Sequence, residues 1–158
     1  MSSAPGRWGD FYLRQVYGVK VPQPLQPSFM TASLLVASGG ALGSWLRFCV
    51  GRAWVGAIGQ VRASGFPWAT LSVNIVGSLA MGLLVGWLAR FDGNNEATRL
   101  LLAVGVLGGF TTFSSFSLEA ISLIQRAQPG LAALYIATSL GAGLFGLWLG
   151  LLMMRATA

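Results

Sequence analysis

Residues 105–117 combine glycines, hydroxyl side chains and phenylalanines in a stretch that carries no charge. The paired glycines Gly108 and Gly109 precede the β-branched Thr111 and Thr112, a combination that weakens a helix. The serines that follow offer the backbone further hydrogen-bond partners. An interrupted helix would free carbonyl groups, which are hard oxygen ligands for an alkali cation. A continuous, slightly bent helix whose hydroxyls bond to the preceding turn also fits these residues.

The polar residues of the other apolar stretches are also neutral, and their hydroxyl and amide groups can donate hydrogen bonds to a small anion. Phenylalanine ring edges carry partial positive charge and can face an anion as well. A series of weak donors without a fixed charge suits conduction, because an ion that is held tightly cannot leave. These properties permit several small ions and select none of them. The neutral polar residues are Thr70, Ser72, Asn74, Ser78, Tyr135, Thr138 and Ser139.

The titratable residues argue against several other kinds of chemistry. The chain has no histidine and one cysteine, Cys49, so it cannot form an intramolecular disulfide and a thiolate metal site is not expected. A proton-coupled transporter needs a carboxylate or histidine deep in the membrane. Glu119 lies near the end of an apolar stretch, and the other three acidic residues lie outside these stretches. Without paired carboxylates, a Ser/His/Asp set or a phosphate-binding loop, we predict that the chain is not an enzyme.

The composition predicts an all-α integral membrane protein. Of the 158 residues, 54% are hydrophobic and 9% are charged, whereas a soluble domain has about 25% charged residues. A helix that crosses a bilayer needs about 20 largely apolar residues. Four stretches satisfy this requirement: residues 32–49, 67–89, 100–118 and 129–154. We therefore predict a four-span membrane domain over residues 31–158.

Residues 1–30 differ in composition from the rest of the chain. They contain four prolines and scattered basic residues but no long apolar run, which predicts a flexible N-terminal tail. The net charge of +6 would favour nucleic-acid binding in a soluble protein. In this chain the basic residues lie mostly at the ends of apolar runs, where they meet lipid headgroups, so the bilayer and not a nucleic acid is the expected partner.

The arginines of the loops do not favour one orientation in the membrane. With four spans, the side that holds both termini has Arg90, Arg99 and Arg155, if the tail is left out. The opposite side has Arg52, Arg62 and Arg126. Because short-loop arginine and lysine set orientation, two explanations remain open. Either the basic residues of the tail decide, or the protein inserts both ways and pairs antiparallel.

Small residues recur at four-residue spacing in the predicted spans, for example Gly39 with Gly43 and Gly105 with Gly109. Such stripes allow helix backbones to approach closely in lipid. Packing within one bundle explains some of them. Four short helices leave little interior for both packing and an ion pathway, so we also expect self-association.

Three segments, in order and with four-span spacing, closely resemble the fluoride channel family, known as Fluc or CrcB-type proteins. They are residues 39–47, which end a glycine-rich first span in Arg47, residues 67–78, which contain Thr-Leu-Ser-Val-Asn, and residues 108–119. The resemblance runs from about Gly39 to the end of the fourth span. The third segment, which begins Gly-Gly-Phe-Thr-Thr-Phe, carries its strongest part.

The resemblance implies a dual-topology homodimer of antiparallel subunits, with a third helix broken at membrane depth and two pores along the subunit interface. It also implies a structural sodium ion at the dimer centre, bound by the backbone carbonyls of Gly108 and Thr111. The fourth-span pattern Tyr-x-x-x-Ser-x-x-x-Ser is matched at its first two positions, and its third position is Gly143. The implied fluoride pathway consists of Asn74, Thr112, Phe113, Ser115, Phe116, Tyr135 and Ser139.

The resulting hypothesis is a passive, fluoride-specific channel in the cell's inner (plasma) membrane that exports cytoplasmic fluoride and lowers its toxicity. A non-conducting membrane scaffold or assembly subunit is the alternative, and it would use the small-residue stripes for association alone. A coupled transporter is the third hypothesis. Fluoride flux from a sodium-dependent dimer distinguishes the channel from the scaffold, and movement against a gradient would indicate the transporter.

Overall fold

The computed structural model describes residues 26–91 and 95–156. The predicted tail, residues 1–30, lies almost entirely outside the described residues. Within them the structure is helical and contains no strand. The helices are α1 Phe29–Ile58, α2 Gln60–Gly65, α3 Trp68–Phe91, α4 Glu96–Thr98, a π-helix Arg99–Leu107, α5 Gly108–Phe110, α6 Phe113–Gln125 and α7 Pro129–Ala156.

Four helical stretches are long and apolar enough to cross a membrane: Phe29–Ile58, Trp68–Arg90, Glu96–Gln125 and Pro129–Ala156. This confirms the predicted all-helical fold with four candidate spans. The hydrocarbon core of a bilayer is about 30 Å thick. A helix of 30 residues, such as α1, is about 45 Å long and therefore exceeds that thickness.

The first span is longer than the sequence predicts. We expected it to end at residue 49, with a turn-rich segment after it, but α1 continues to Ile58 and ends at Gly59, whose φ is 79°. A glycine inside a helix costs only about 1 kcal/mol, and contacts to α3 hold this part of α1 in place. The Trp54 indole donates a hydrogen bond to the Ser72 hydroxyl (3.1 Å) and stacks on Trp68.

Glycines set the two closest helix pairings, α3 with α7 and α1 with the π-helix. A Cβ atom at Gly150 would lie 2.5 Å from the carbonyl oxygen of Leu79, and one at Gly82 would overlap the carbonyl of Leu147. On the other side of the bundle, a Cβ atom at Gly105 would lie 2.9 Å from the Cα atom of Gly39. Backbones therefore touch directly at both pairings, as small residues permit in membrane helices.

The third span changes its backbone conformation along its length. It begins with α4 and the π-helix, a wide form that is rare and is often found at functional sites. After α5, Thr111 (φ −82°, ψ 158°) and Thr112 (φ −153°, ψ 121°) are extended, and α6 begins at Phe113. The hydroxyl of Thr112 accepts a hydrogen bond from the Ser115 amide (3.3 Å) and so caps α6.

A buried apolar cluster joins α6 to α7. Phe116, Ala120 and Leu123 contribute from α6, and Ala132 and Tyr135 contribute from α7. Many large apolar side chains outside this cluster are exposed on the single chain, as is normal for surfaces that meet lipid or a partner.

Candidate functional site

The candidate site is a cavity of about 290 Å³ between α3, the extended segment, α6 and α7. No charged residue lines it. Six of the residues that we predicted to form the ion pathway or the sodium site line this cavity. The lining residues are Asn74, Gly77, Ser78, Met81, Thr111, Thr112, Phe113, Phe116, Ser139, Leu140 and Leu147. Five of the six are predicted pathway residues (Asn74, Thr112, Phe113, Phe116 and Ser139), and the sixth is the predicted sodium ligand Thr111.

Asn74 holds the extended segment by two hydrogen bonds to one residue. Its side-chain oxygen accepts from the Thr112 amide (2.9 Å), and its Nδ2 donates to the Thr112 carbonyl (3.2 Å). Backbone groups outside a helix need partners when water is absent, and Asn74 supplies partners for both backbone groups of the extended Thr112. An amide NH₂ group carries two hydrogens. The second N–H of Asn74 therefore remains for a ligand in the cavity.

Ser139 on α7 presents a buried hydroxyl without a partner. The residue is 8% exposed, and its Oγ atom has no hydrogen-bond partner within residues 26–91 and 95–156. A buried polar group of this kind normally has a partner. Because Ser139 lines the cavity, a ligand there can accept its hydrogen bond.

Ser78 lines the same cavity from α3, opposite the position where the fourth-span pattern has Gly143. A Cβ atom at Gly143 would lie 3.5 Å from the Ser78 Oγ atom, which is an ordinary contact distance. Thr138 does not line the cavity, and its hydroxyl donates to carbonyls of its own helix at Leu134 (2.7 Å) and Tyr135 (3.2 Å). The hydroxyl nearest to the Gly143 position therefore comes from the second span.

The two phenylalanines of α6 differ in exposure although both line the cavity. Their ring centroids are 5.7 Å apart, and the rings are tilted by 41°. Phe116 is 8% exposed, whereas Phe113 is 76% exposed on the single chain. The cavity is therefore walled by protein on the Phe116 side and open at the molecular surface beside Phe113.

Ser115 and Tyr135 do not line the cavity. Ser115 is engaged with Thr112 through its amide and its hydroxyl. Tyr135 is fully buried, packs its ring against Phe116 (5.2 Å between centroids) and donates its hydroxyl to Glu119 (2.8 Å). Tyr135 therefore connects the phenylalanine wall with a carboxyl group and lies behind the cavity.

Tyr135 was a predicted pathway residue, but its partner Glu119 and the neighbouring Thr70 were not among the predicted site residues. The Glu119 carboxyl accepts hydrogen bonds from Thr70 on α3 and Tyr135 on α7, each at 2.8 Å. One signal was present in the sequence, because Glu119 follows Phe116 by three residues and so lies on the same helix face. The contacts across three helices, by contrast, become visible only in the fold.

A second cavity, of about 240 Å³, lies next to this carboxyl group. Glu119, Ser122 and Arg126 line it from α6 and its end, and residues 63–67 line it from the end of α2 and the turn before α3. Arg126 donates to the Ser64 carbonyl (2.8 Å) and so links the end of α6 to α2. Because the Tyr135 hydroxyl donates to Glu119, this residue connects the wall of the neutral cavity with a second cavity that has charged residues in its lining.

The predicted sodium ligands are Gly108, the first residue of α5, and Thr111, which directly follows this helix. The carbonyls of Leu107, Gly109 and Thr112 accept side-chain or turn hydrogen bonds. Those of Gly108 and Thr111 accept none of these bonds. Within the described ranges, no group of three acidic, histidine or cysteine side chains could hold a metal ion. A cation at this position would therefore rely on backbone oxygens, which suit an alkali ion.

Comparison with known proteins agrees with this architecture. The model of the CrcB-like protein family (camphor resistance, CrcB) matches residues 34–151. A protein of Novosphingobium aromaticivorans named fluoride-specific ion channel FluC is 56% identical over 129 residues, which cover 82% of this chain and 100% of the relative. Proteins of the same name from Beijerinckia indica (50% over 129 residues) and Sphingopyxis alaskensis (49% over 126 residues) match 80% of this chain and 98% and 97% of their own lengths. The chain therefore belongs to the CrcB-like protein family.

Proposed function

We propose that this protein is a fluoride-specific passive channel that exports cytoplasmic fluoride across the inner (plasma) membrane and so lowers its toxicity. The observation that carries the proposal is the uncharged cavity, which brings a partnerless buried hydroxyl, an amide N–H and two phenylalanine rings together. The relatives that share about half of its residues are named fluoride-specific ion channels. A channel of this kind catalyses no reaction.

The cavity offers an anion weak contacts in place of water. Dehydrating a small anion is very costly unless hydrogen bonds replace its hydration shell. Ser139 and the second N–H of Asn74 can donate such bonds, and ring edges of Phe113 and Phe116 add partial positive charge. Because no fixed positive charge lines the cavity, the ion is not trapped there.

The route continues past Phe116 to the cluster around Glu119. Fluoride at Tyr135 would compete with the Glu119 carboxyl for the hydroxyl hydrogen that the carboxyl accepts in the structure. Thr70 donates to the same carboxyl and can keep it bonded while Tyr135 turns to the ion. The second cavity, with Arg126 on its wall, then serves as the opening to water. In this scheme Ser115 supports Thr112 and does not contact the ion.

The working unit is an antiparallel, dual-topology homodimer with one pore on each side of the subunit interface. Two properties of the single chain support this proposal. Phe113 is 76% exposed beside a cavity that the chain itself leaves open, so a second subunit is needed to close the pore. If the tail is left out, the arginines of the two membrane sides are also balanced, three against three, which permits both orientations.

Sodium is proposed as a structural ion where the third span is interrupted at membrane depth. The carbonyls of Gly108 and Thr111 provide two oxygens from each subunit, and two subunits related by a twofold axis would provide four. This donor set fits a hard alkali cation. When bound, the ion would offset the repulsion between these carbonyl dipoles and join the two extended segments.

The test is fluoride efflux from liposomes that contain the purified protein in sodium, with chloride efflux measured in parallel. We expect fast fluoride efflux without chloride efflux, and a loss of at least about ten-fold for Phe113→Ile, which corresponds to about 1.4 kcal/mol in the barrier. Phe48→Ile is the matched control, since Phe48 is also exposed (63%) but does not line the cavity.

Equal loss in both variants, or equal flux of the two anions, would contradict the assigned pathway. Dimeric protein that conducts no fluoride in the presence of sodium would refute the channel and leave the non-conducting scaffold.

A further inference from the structure

A third cavity, an open cleft, lies where the first span meets the second. It shares Gly65 and Phe66 with the second cavity but contains none of the residues proposed to contact fluoride. It measures about 430 Å³, within the range of about 300–1,000 Å³ that is usual for ligand sites. Its walls are almost entirely apolar, and Arg62 is its one charged lining residue. The lining residues are Trp54, Ile58, Arg62, Gly65, Phe66 and Trp68.

The aromatic wall of this cleft is held rigidly by its own contacts. Trp54 and Trp68 stack with ring centroids 5.7 Å apart and an interplanar angle of 22°, and Phe66 lies 4.5 Å from Trp68. The Trp54 indole N–H donates to Ser72, whose hydroxyl donates to the Trp68 carbonyl (2.7 Å). A preformed apolar surface binds a flexible hydrocarbon chain without the entropic cost of ordering the side chains of the protein.

Arg62 differs from Arg99 and Arg126 in its contacts. Arg99 pairs with Glu96, and Arg126 donates to the Ser64 carbonyl. The exposed Arg62 side chain makes no hydrogen bond or ion pair with any residue that the structure describes. Its planar guanidinium group matches the geometry of a phosphate. The rim of the cleft thus offers a cation next to an apolar wall.

This end of the molecule has the features of the membrane–water interface. Tryptophan favours the headgroup level, and Trp54 and Trp68 mark the same level on adjacent helices. The short helix α2 follows α1 directly, and its Val61 side chain is 85% exposed. An arginine at this level reaches lipid phosphates while its neighbours contact acyl chains.

We propose that this cleft binds one anionic phospholipid, with its phosphate on the Arg62 guanidinium and the upper part of an acyl chain against Trp54, Phe66 and Trp68. Fluoride is a poor ligand for the cleft, because no hydroxyl or amide side chain lines it. The inference requires only that the chain lies in a bilayer. It holds whether or not the chain conducts fluoride.

The direct test is native mass spectrometry of the intact, detergent-solubilised protein with phosphatidylglycerol and with phosphatidylcholine. We expect phosphatidylglycerol to bind more tightly, and Arg62→Gln to weaken its binding about five-fold, the effect of one basic residue at a membrane surface. Arg62→Lys should retain part of the preference as a point charge. Arg52→Gln is the matched control. It removes one positive charge from the membrane side to which we also assigned Arg62, and Arg52 does not line the cleft.

A second readout reports on the aromatic wall. The protein is placed in phosphatidylcholine vesicles in which a minor fraction of the lipid is brominated on its acyl chains. Brominated phosphatidylglycerol should quench tryptophan fluorescence more than the same fraction of brominated phosphatidylcholine. Arg62→Gln should abolish the difference, and Arg52→Gln should preserve it. Equal binding of the two lipids, or equal losses in the two glutamine variants, would overturn the proposed site. Each variant is first checked for an unchanged gel-filtration profile, so that misfolding is recognised.

Discussion

Ser139 separates a role in packing from a role in ion binding. Its hydroxyl is buried without a protein partner, so Ser139→Ala removes no hydrogen bond from the described structure. We expect the variant to keep or slightly raise the thermal unfolding temperature of the purified protein. Fluoride efflux should fall about five-fold, because a hydrogen bond to an ion is worth roughly 1 kcal/mol or more.

Thr138→Val is the control for this prediction, since it removes a neighbouring hydroxyl that is already bonded to its own helix. Efflux should be unchanged in Thr138→Val. If Ser139→Ala lowered the unfolding temperature and left efflux intact, the hydroxyl would be structural.

We expect Ser78 to supply the hydroxyl that Gly143 lacks. In the fourth-span pattern of the fluoride channel family the third position is serine, and in this chain it is Gly143. Ser78 lines the cavity next to that position, and a Cβ atom at 143 would fit at 3.5 Å from its Oγ atom. We expect Ser78→Ala to reduce fluoride efflux several-fold, and Ser78→Ala combined with Gly143→Ser to recover most of it. Recovery would be absent if Ser78 acted only in packing, because the new hydroxyl extends from the opposite helix.

At the scale of helices, Gly150 and Gly141 provide a matched pair for the contact between α3 and α7. A Cβ atom at Gly150 would lie 2.5 Å from the Leu79 carbonyl, whereas one at Gly141 would meet no atom within 4 Å. Forcing atoms into a packed contact costs about 1–3 kcal/mol. Gly150→Ala should therefore lower the unfolding temperature, and Gly141→Ala should raise or preserve it, because alanine is the better helix former.

This comparison is made on purified protein by a thermal unfolding scan that follows tryptophan fluorescence. Equal stability of the two alanine variants would mean that α3 and α7 can move apart without cost.

The four spans were predictable because hydropathy is a local property. Span two was predicted as residues 67–89 and is Trp68–Arg90 in the structure, and span four was predicted to begin at Pro129, where α7 begins. The end of α1 was predicted wrongly, since it depends on Trp54 meeting Trp68 and Ser72 on another helix. Such contacts between distant residues leave no periodic signal in one sequence.

The motifs singled out Asn74, Phe113, Phe116 and Ser139, which line one cavity in the structure. Their role in an ion pathway stays a prediction. For Glu119, the sequence indicated only a position near the end of span three. Its three-helix hydrogen-bond cluster follows from packing, and so does the placement of Tyr135 behind the cavity. Residue types in the sequence indicate candidate site residues, but the packing of the helices determines which of these residues contact one another.

At the scale of the whole molecule, the apolar surface and the charges point to the same assembly. Large apolar side chains are exposed on the first span (Trp45, 59%), the third (Phe113, 76%) and the fourth (Leu144, 72%). Lipid can cover such faces, but lipid cannot close the proposed ion pathway at Phe113. The second subunit of the proposed dimer would close it, and the equal numbers of arginines outside the tail would allow it to enter the membrane in the opposite orientation.

This assembly predicts that each end of the fourth span is found on both sides of the membrane. Helix α7 runs from Pro129 to Ala156, about 42 Å, so its two ends lie at opposite sides of the bilayer. In a Cys49→Ser background, Gln128→Cys and Ala156→Cys place one thiol at each end. With dual topology, a membrane-impermeant maleimide should label roughly half of each variant in intact cells, and all of it after permeabilisation.

Complete labelling of one variant with none of the other would establish a single orientation and rule out the antiparallel dimer. The basic residues of the tail would then be the determinant to remove next, since the loop arginines are equal in number on the two sides.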